Sequence, residues 1–207
     1  YSVTIVIVSF FNKLTKLLYS ETCRKGMLLK MNITVYLGAS SGNDDKFQIA
    51  VRELGNWIGE NGHTLVYGGS KAGLMGDLAE SVLLSGGKVI GVEPQFFIDA
   101  GFEYNDITEL IVTHDMSERK AKMIELGNAF ITFPGGSGTL EEISEVISKV
   151  MLGHMSEPVM IYNLDGYYND LKNLFVHMIE KGLCDKKVFE KIRFVENLEE
   201  IKKLLNA

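Results

Sequence analysis

The sequence has little of what metal, disulfide and polyanion sites are built from. It has two cysteines in 207 residues, Cys23 and Cys184. They lie far apart and in no metal or redox spacing, which excludes a disulfide framework and suits a reducing, cytoplasmic compartment. The four histidines, His63, His114, His154 and His177, fall in no ligand spacing, so no zinc site is expected. Proline occurs three times and tryptophan once, and there is no linker, internal repeat or low-complexity tract. No apolar run approaches the ~20 residues needed to span a bilayer. Positive charge is scarce in the body of the chain: residues 31–207 hold 16 basic and 26 acidic residues, a net of −10, whereas residues 1–30 hold five basic and one acidic. So acidic a body is a poor partner for nucleic acid or a membrane surface, and neither is expected. A small anion held by a local loop stays open.

What is present fits one compact domain. Apolar residues make up 46% and charged residues 23%, the balance of an ordinary globular protein. Residues 1–30 read apart from the rest. Their short apolar, β-branched stretch at 3–11 is followed, not preceded, by lysines and shows no clean cleavage site, so it does not read as a secretory signal. The expectation is a leader of uncertain role over 1–30 and a folded domain over 31–207. From Met31 onward strands alternate with helices. Strands are expected at 33–37, 64–67, 88–92, 110–113, 129–133, 159–162 and 192–195, and helices at 44–60, 74–84, 116–126, 140–152, 168–181 and from 198. Residues 95–108 read as a long loop. Repeated β-α units with near-continuous apolar strands predict an α/β fold with a doubly wound parallel sheet.

Ligands of such sheets bind outside the carboxyl ends of the strands. Two of these ends are rich in glycine: Gly68-Gly69-Ser70-Lys71-Ala72-Gly73-Leu74-Met75-Gly76, and Pro134-Gly135-Gly136-Ser137-Gly138-Thr139 before Leu140-Glu141-Glu142. Each follows a strand and opens a helix, where glycine admits a ligand close to the backbone and the first-turn N–H groups favour an anion. A tight turn would also use glycine. Neither loop has the Lys-Ser/Thr of a P-loop, and the first misses the dinucleotide spacing, although Glu93 at the next strand end stands where a ribose-binding acid would.

The helices beside the second loop carry charge in informative places. Ile143, Val146, Ile147 and Val150 form one apolar stripe, and Glu142 lies at its edge near Thr139, while Glu141, Glu145 and Ser148 lie opposite. An acid near a helix start is also what the dipole alone favours. In the preceding helix Asp115 and Glu118 read as a cap with its reciprocal acid. Arg119 shares a stripe with Met116 and Met123, and a guanidinium on a half-apolar face calls for an anion, either Glu142 or a bound phosphate, unless it reaches solvent.

These residues resemble a known family. Pro134 to Glu142 matches the PGGxGTxxE motif of the LONELY GUY (LOG) proteins, cytokinin riboside 5′-monophosphate phosphoribohydrolases long labelled lysine decarboxylases. Met116-x-x-Arg119-Lys120 resembles their MxxRK element. Gly68-Gly69 with Gly73-Leu74-Met75-Gly76 resembles their GLMG loop, Gly38-Ala39-Ser40-Ser41-Gly42 their first-strand turn, and Asp165-Gly166-Tyr167-Tyr168 a frequent later element. The resemblance covers about six-sevenths of the chain. It implies a Rossmann-like fold and hydrolysis of a nucleoside 5′-monophosphate, AMP or a cytokinin nucleotide, to free base and ribose 5-phosphate, with no cofactor or metal. It implies that Arg119 and Glu142 are catalytic and that Gly135, Gly136, Ser137, Gly138 and Thr139 hold the phosphate. Glu141, Lys120, Met116, Gly69 and Ser40 would line the same site, and a homodimer is implied. Ser137 departs from the larger residue of many members, and no lysine stands in a setting that marks a pyridoxal Schiff base. The alternative from another class is a non-catalytic nucleotide-binding or carrier module with the same loops.

Overall fold

The computed structural model describes residues 30–205; the expected leader over 1–30 falls almost wholly outside them. Seven strands form a single parallel sheet in the order β4-β3-β2-β1-β5-β6-β7. They are β1 (Asn32–Tyr36), β2 (Thr64–Tyr67), β3 (Lys88–Pro94), β4 (Glu109–Thr113), β5 (Ala129–Thr132), β6 (Val159–Tyr162) and β7 (Ile192–Val195). The chain winds outward from β1 to β4, returns to place β5 against β1, and winds outward again. The point of reversal lies between β1 and β5, paired from Ile33↔Ala129 to Tyr36↔Thr132. At such a point successive crossovers leave on opposite faces and a crevice opens at the strand ends.

Helices cover both faces: α1 (Asp45–Glu60), α2 (Gly73–Leu84), α3 (Gln95–Asp99), α4 (Met116–Leu126), α5 (Ser137–Met151), α6 (Asn169–Glu180), α7 (Lys186–Phe189) and α8 (Leu198–Leu205). The pleat of β1 separates the two cores. Ile33, Val35 and Leu37 face α1 and α2, among Val51, Leu54, Ile58, Leu78 and Val82. Tyr36 faces the other way, into a cluster with Met123 of α4 and Ile143, Val146 and Ile147 of α5. The stripe predicted for α5 is the buried one. No helix among the described residues is long and apolar enough to cross a membrane.

Four segments differ from expectation. The stretch read as loop over 95–108 holds the short α3, capped only by backbone; five residues are too few for an apolar period to be legible. The helix expected from Leu140 begins at Ser137, so that Gly138 and Thr139 form its first turn while Gly136 stays extended as the N-cap. A 3₁₀ turn (Leu164–Gly166) and α7 were not anticipated, both being shorter than the window in which periodicity carries information.

Candidate active site

The site grows from the way helices start. On α1 and α4 the first turn is closed by an acid: the Asp44 carboxylate accepts from Lys46 N, and that of Asp115 from Glu118 N. The Glu118 carboxylate in turn accepts the N–H of His114 at 2.7 Å, one residue earlier than a standard capping box, and this fixes the start of α4. The N-caps of α2 and α5 are Ala72 and Gly136, and neither offers a side-chain cap. Their first-turn N–H groups are therefore left for other partners. Both starts line one cavity of ≈ 500 Å³ at the carboxyl ends of β1, β2, β3 and β5, with Gly38, Gly68, Gly136, Ser137, Gly138 and Thr139 in its wall.

Close backbone approach makes the crevice. Gly38 N donates to Pro134 O at 3.3 Å, drawing the β1 turn onto the β5 loop. A Cβ on Gly135 would overlap Thr139 Oγ1 and lie 2.8 Å from Gly38 N, so only glycine fits there. Two tyrosines hold the same loop from behind: Tyr167 Oη donates to Gly135 O at 2.7 Å and Tyr168 Oη to Phe133 O at 2.9 Å. The Asp165-Gly166-Tyr167-Tyr168 stretch thus has a physical task that its sequence did not disclose.

Arg119 and Glu142 meet inside this cavity. Each is about 95% buried, at 5% exposure. Arg119 Nη1 donates to Glu142 Oε1 at 2.6 Å and Nε to the carbonyl of Val92 at 3.0 Å. The second amino group lies over Gly68, where a Cβ would collide with it. Burial raises the Glu142 carboxyl above its ordinary range, and the Arg119 charge and hydrogen bond pull it back. The result is a carboxylate more basic than one in water and held in one orientation.

The other residues singled out from sequence divide. Met116 joins Arg119, Glu142 and residues 136–139 in the cavity wall. Gly69 sits between two lining residues, Gly68 and Ser70, with φ +88, a backbone state that favours glycine. Lys120, Glu141 and Ser40 are not brought to the cavity. Lys120 Nζ pairs with Glu141 at 2.6 Å and with Glu145 at 3.4 Å, a bridge between α4 and α5 that fixes the two helices carrying Arg119 and Glu142. Ser40 is exposed, and its hydroxyl accepts from Gly42 N. Sequence reasoning missed Phe97, Phe102 and Met75, which also line the cavity. Glu93, considered only as a ribose-binding acid, lines it at 2% exposure. The available signal was an acid at the carboxyl end of an otherwise apolar strand.

Fold and site together define a parallel α/β protein with a glycine-lined crevice at the strand ends and a buried arginine–carboxylate pair. Comparison with known proteins gives the family. A family model described as "Possible lysine decarboxylase" matches residues 75–205. The cytokinin riboside 5′-monophosphate phosphoribohydrolase of Rhodococcoides fascians is 38% identical over 169 residues, covering 81% of this chain and 85% of that protein. A protein of that name from Arabidopsis thaliana is 38% identical, covering 82% and 78%. Among solved structures, the molybdenum cofactor binding protein of Rippkaea orientalis superposes with a TM-score of 0.65 at 19% identity, over 86% of this chain and 97% of that one. The molybdenum cofactor carrier protein of Chlamydomonas reinhardtii gives 0.64 at 21%, over 86% and 99%. These two share the fold. The chain belongs to the LOG family of phosphoribohydrolases.

Proposed function

We propose that this protein hydrolyses the N-glycosidic bond of a nucleoside 5′-monophosphate, AMP or a cytokinin riboside 5′-monophosphate, releasing the base and ribose 5-phosphate. The observation that carries this reading is the buried Arg119–Glu142 pair, held at 2.6 Å beside the uncapped start of α5. The relatives named cytokinin riboside 5′-monophosphate phosphoribohydrolases support it.

The phosphate binds at the N-terminus of α5, on the N–H groups of residues 136–139 and the Thr139 hydroxyl, where helix dipole and free donors favour an anion. Anchoring there sets the ribose beneath the pair. As the glycosidic bond lengthens, positive charge develops on the ribose, as in glycoside hydrolysis. The Glu142 carboxylate stabilises that charge and takes a proton from the attacking water. Arg119 opposes the burial that favours a protonated Glu142, and it orients the carboxylate. A homodimer of chains, each with its catalytic domain over 31–207 and working in the cytoplasm, belongs to the same reading.

The test is a substrate panel with chromatographic detection of free base: AMP, prenylated AMP, ADP, ATP and the nucleosides. Base release from one or both monophosphates, with nucleosides at least ~10²-fold poorer in kcat/KM for want of the phosphate anchor, is expected. Recovery of every bound nucleotide intact would favour a binding or carrier module instead.

A further inference from the structure

Glu93 lines the same cavity, yet hydrolysis as drawn above gives it nothing to do. It stands last but one in β3, and its Oε2 is buried without a hydrogen-bond partner. Arg119 is close enough to act on its charge, but spends its Nε and Nη1 on the Val92 carbonyl and Glu142. The groups around it offer no relief. Glu103 Oε2 and the Tyr67 hydroxyl are also buried and unpartnered; Glu103 disfavours a charged Glu93, and burial with Glu93 nearby holds the Tyr67 phenol in its neutral form. Gly69 gives it room: a Cβ there would lie 2.9 Å from both Cβ and Oε2 of Glu93. Burial, with Glu103 adding and Arg119 opposing, pushes the Glu93 carboxyl up to about 7. It therefore holds its proton into the neutral range, while Arg119 opposes the effect of burial on the neighbouring Glu142.

Position says what that proton meets. In the sheet order β3-β2-β1-β5, Glu93 lies three strand spacings, about 14 Å, from the phosphate loop after β5. That is the reach of a whole nucleotide. Phe97 and Phe102 line the cavity too, edge to face at 6.0 Å, and follow β3 directly. Aromatic walls suit a flat base and not a phosphate.

We propose that Glu93 is the general acid of the reaction, donating its carboxyl proton to a ring nitrogen of the departing base. This rests on the hydrolysis reading above. The C1′–N bond breaks and its electron pair goes to the base. The Glu93 proton neutralises the base, water adds to C1′, and Glu142 takes the proton that water gives up. Exchange with solvent returns a proton to Glu93 and removes one from Glu142, so the products are neutral base and ribose 5-phosphate.

The experiment compares two substrates of unequal leaving group, AMP and 4-nitrophenyl β-ribofuranoside 5-phosphate, whose nitrophenolate departs without protonation. In Glu93→Gln, kcat/KM for AMP is expected to fall at least ~10²-fold, the usual contribution of a general acid, and that for the nitrophenyl substrate by no more than ~5-fold. Retained nitrophenyl turnover also shows that the variant is folded. Glu93→Asp, which keeps an acid, should recover part of the AMP activity. Equal loss on both substrates, or no loss on AMP, overturns the assignment while leaving the hydrolase reading intact. Wild-type protein that cleaves neither of these substrates nor prenylated AMP overturns both.

Discussion

Replacing Glu93 by glutamine changes stability in a way that depends on pH, with a sign fixed by its surroundings. The carboxyl has its midpoint pushed up to about 7 in the folded chain, against an ordinary value of 4.5, chiefly by burial. Below pH 4.5 the folded and unfolded chains are both protonated and the group contributes no slope. Between 4.5 and about 7 the unfolded chain gives up its proton while the folded chain keeps it, so stability falls as pH rises. The loss is about 1.4 kcal/mol per pH unit and at most about 3 kcal/mol by pH 7–8. Glutamine has nearly the same shape and does not ionise, so Glu93→Gln removes that slope. Thermal unfolding of wild type and variant at pH 5 and pH 8 reads it directly, since the other titrating groups cancel in the difference. Relative to wild type, the variant should gain on the order of 6–12 °C in Tm between pH 5 and pH 8. A difference in Tm that is the same at both values would refute the claim that a buried, protonated carboxyl sits at the end of β3.

Three further outcomes follow from the geometry. Glu142→Gln and Arg119→Ala should each lower turnover by ~10²-fold or more, and the double variant should be little worse than the poorer single, because members of one catalytic unit are not additive. Glu145→Gln, half-buried outside the cavity, should stay within about 3-fold of wild type, and steady-state kinetics on the wild type and these four variants checks this. Gly135→Ala should destabilise by ~1–3 kcal/mol through overlap with Thr139 and Gly38, whereas a Cβ on Gly138 meets nothing within 4 Å and Gly138→Ala should unfold with the wild type in denaturant. Tyr168→Phe, which removes a hydrogen bond to the Phe133 carbonyl, should cost about 1 kcal/mol in the same titration.

Much of this was legible because it is periodic or local. The stripe Ile143, Val146, Ile147 and Val150 oriented α5, and with it placed Glu142 at the edge of the core. Arg119 between Met116 and Met123 called for an anion, and Glu142 is that anion. Strand ends rich in glycine located the crevice. What was not legible depends on contacts between distant segments. Lys120 and Glu141 sit in the motifs beside Arg119 and Glu142, yet a helix turns about 100° per residue, which aims their side chains out of the cavity and toward each other. Nothing near Tyr167 or Tyr168 says that their hydroxyls reach back over 32 and 35 residues to the glycine loop. Phe97 and Phe102 fell in a segment without a legible pattern, and Glu93, read only as standing where a ribose-binding acid would, gave no sign that the fold would enclose it.

In this reading the α5 crevice holds a nucleotide's phosphate while Glu142 drives cleavage of its glycosidic bond. The decisive measurement incubates wild type and Glu142→Gln with AMP, prenylated AMP and the matching nucleosides, and quantifies free base and ribose 5-phosphate in the same sample. Base and ribose 5-phosphate are expected in equal amounts from a monophosphate with wild type, with far less from its nucleoside and a loss of at least ~10²-fold in the variant. Base released equally well from nucleoside and nucleotide, or unchanged turnover by a folded Glu142→Gln protein, would contradict it.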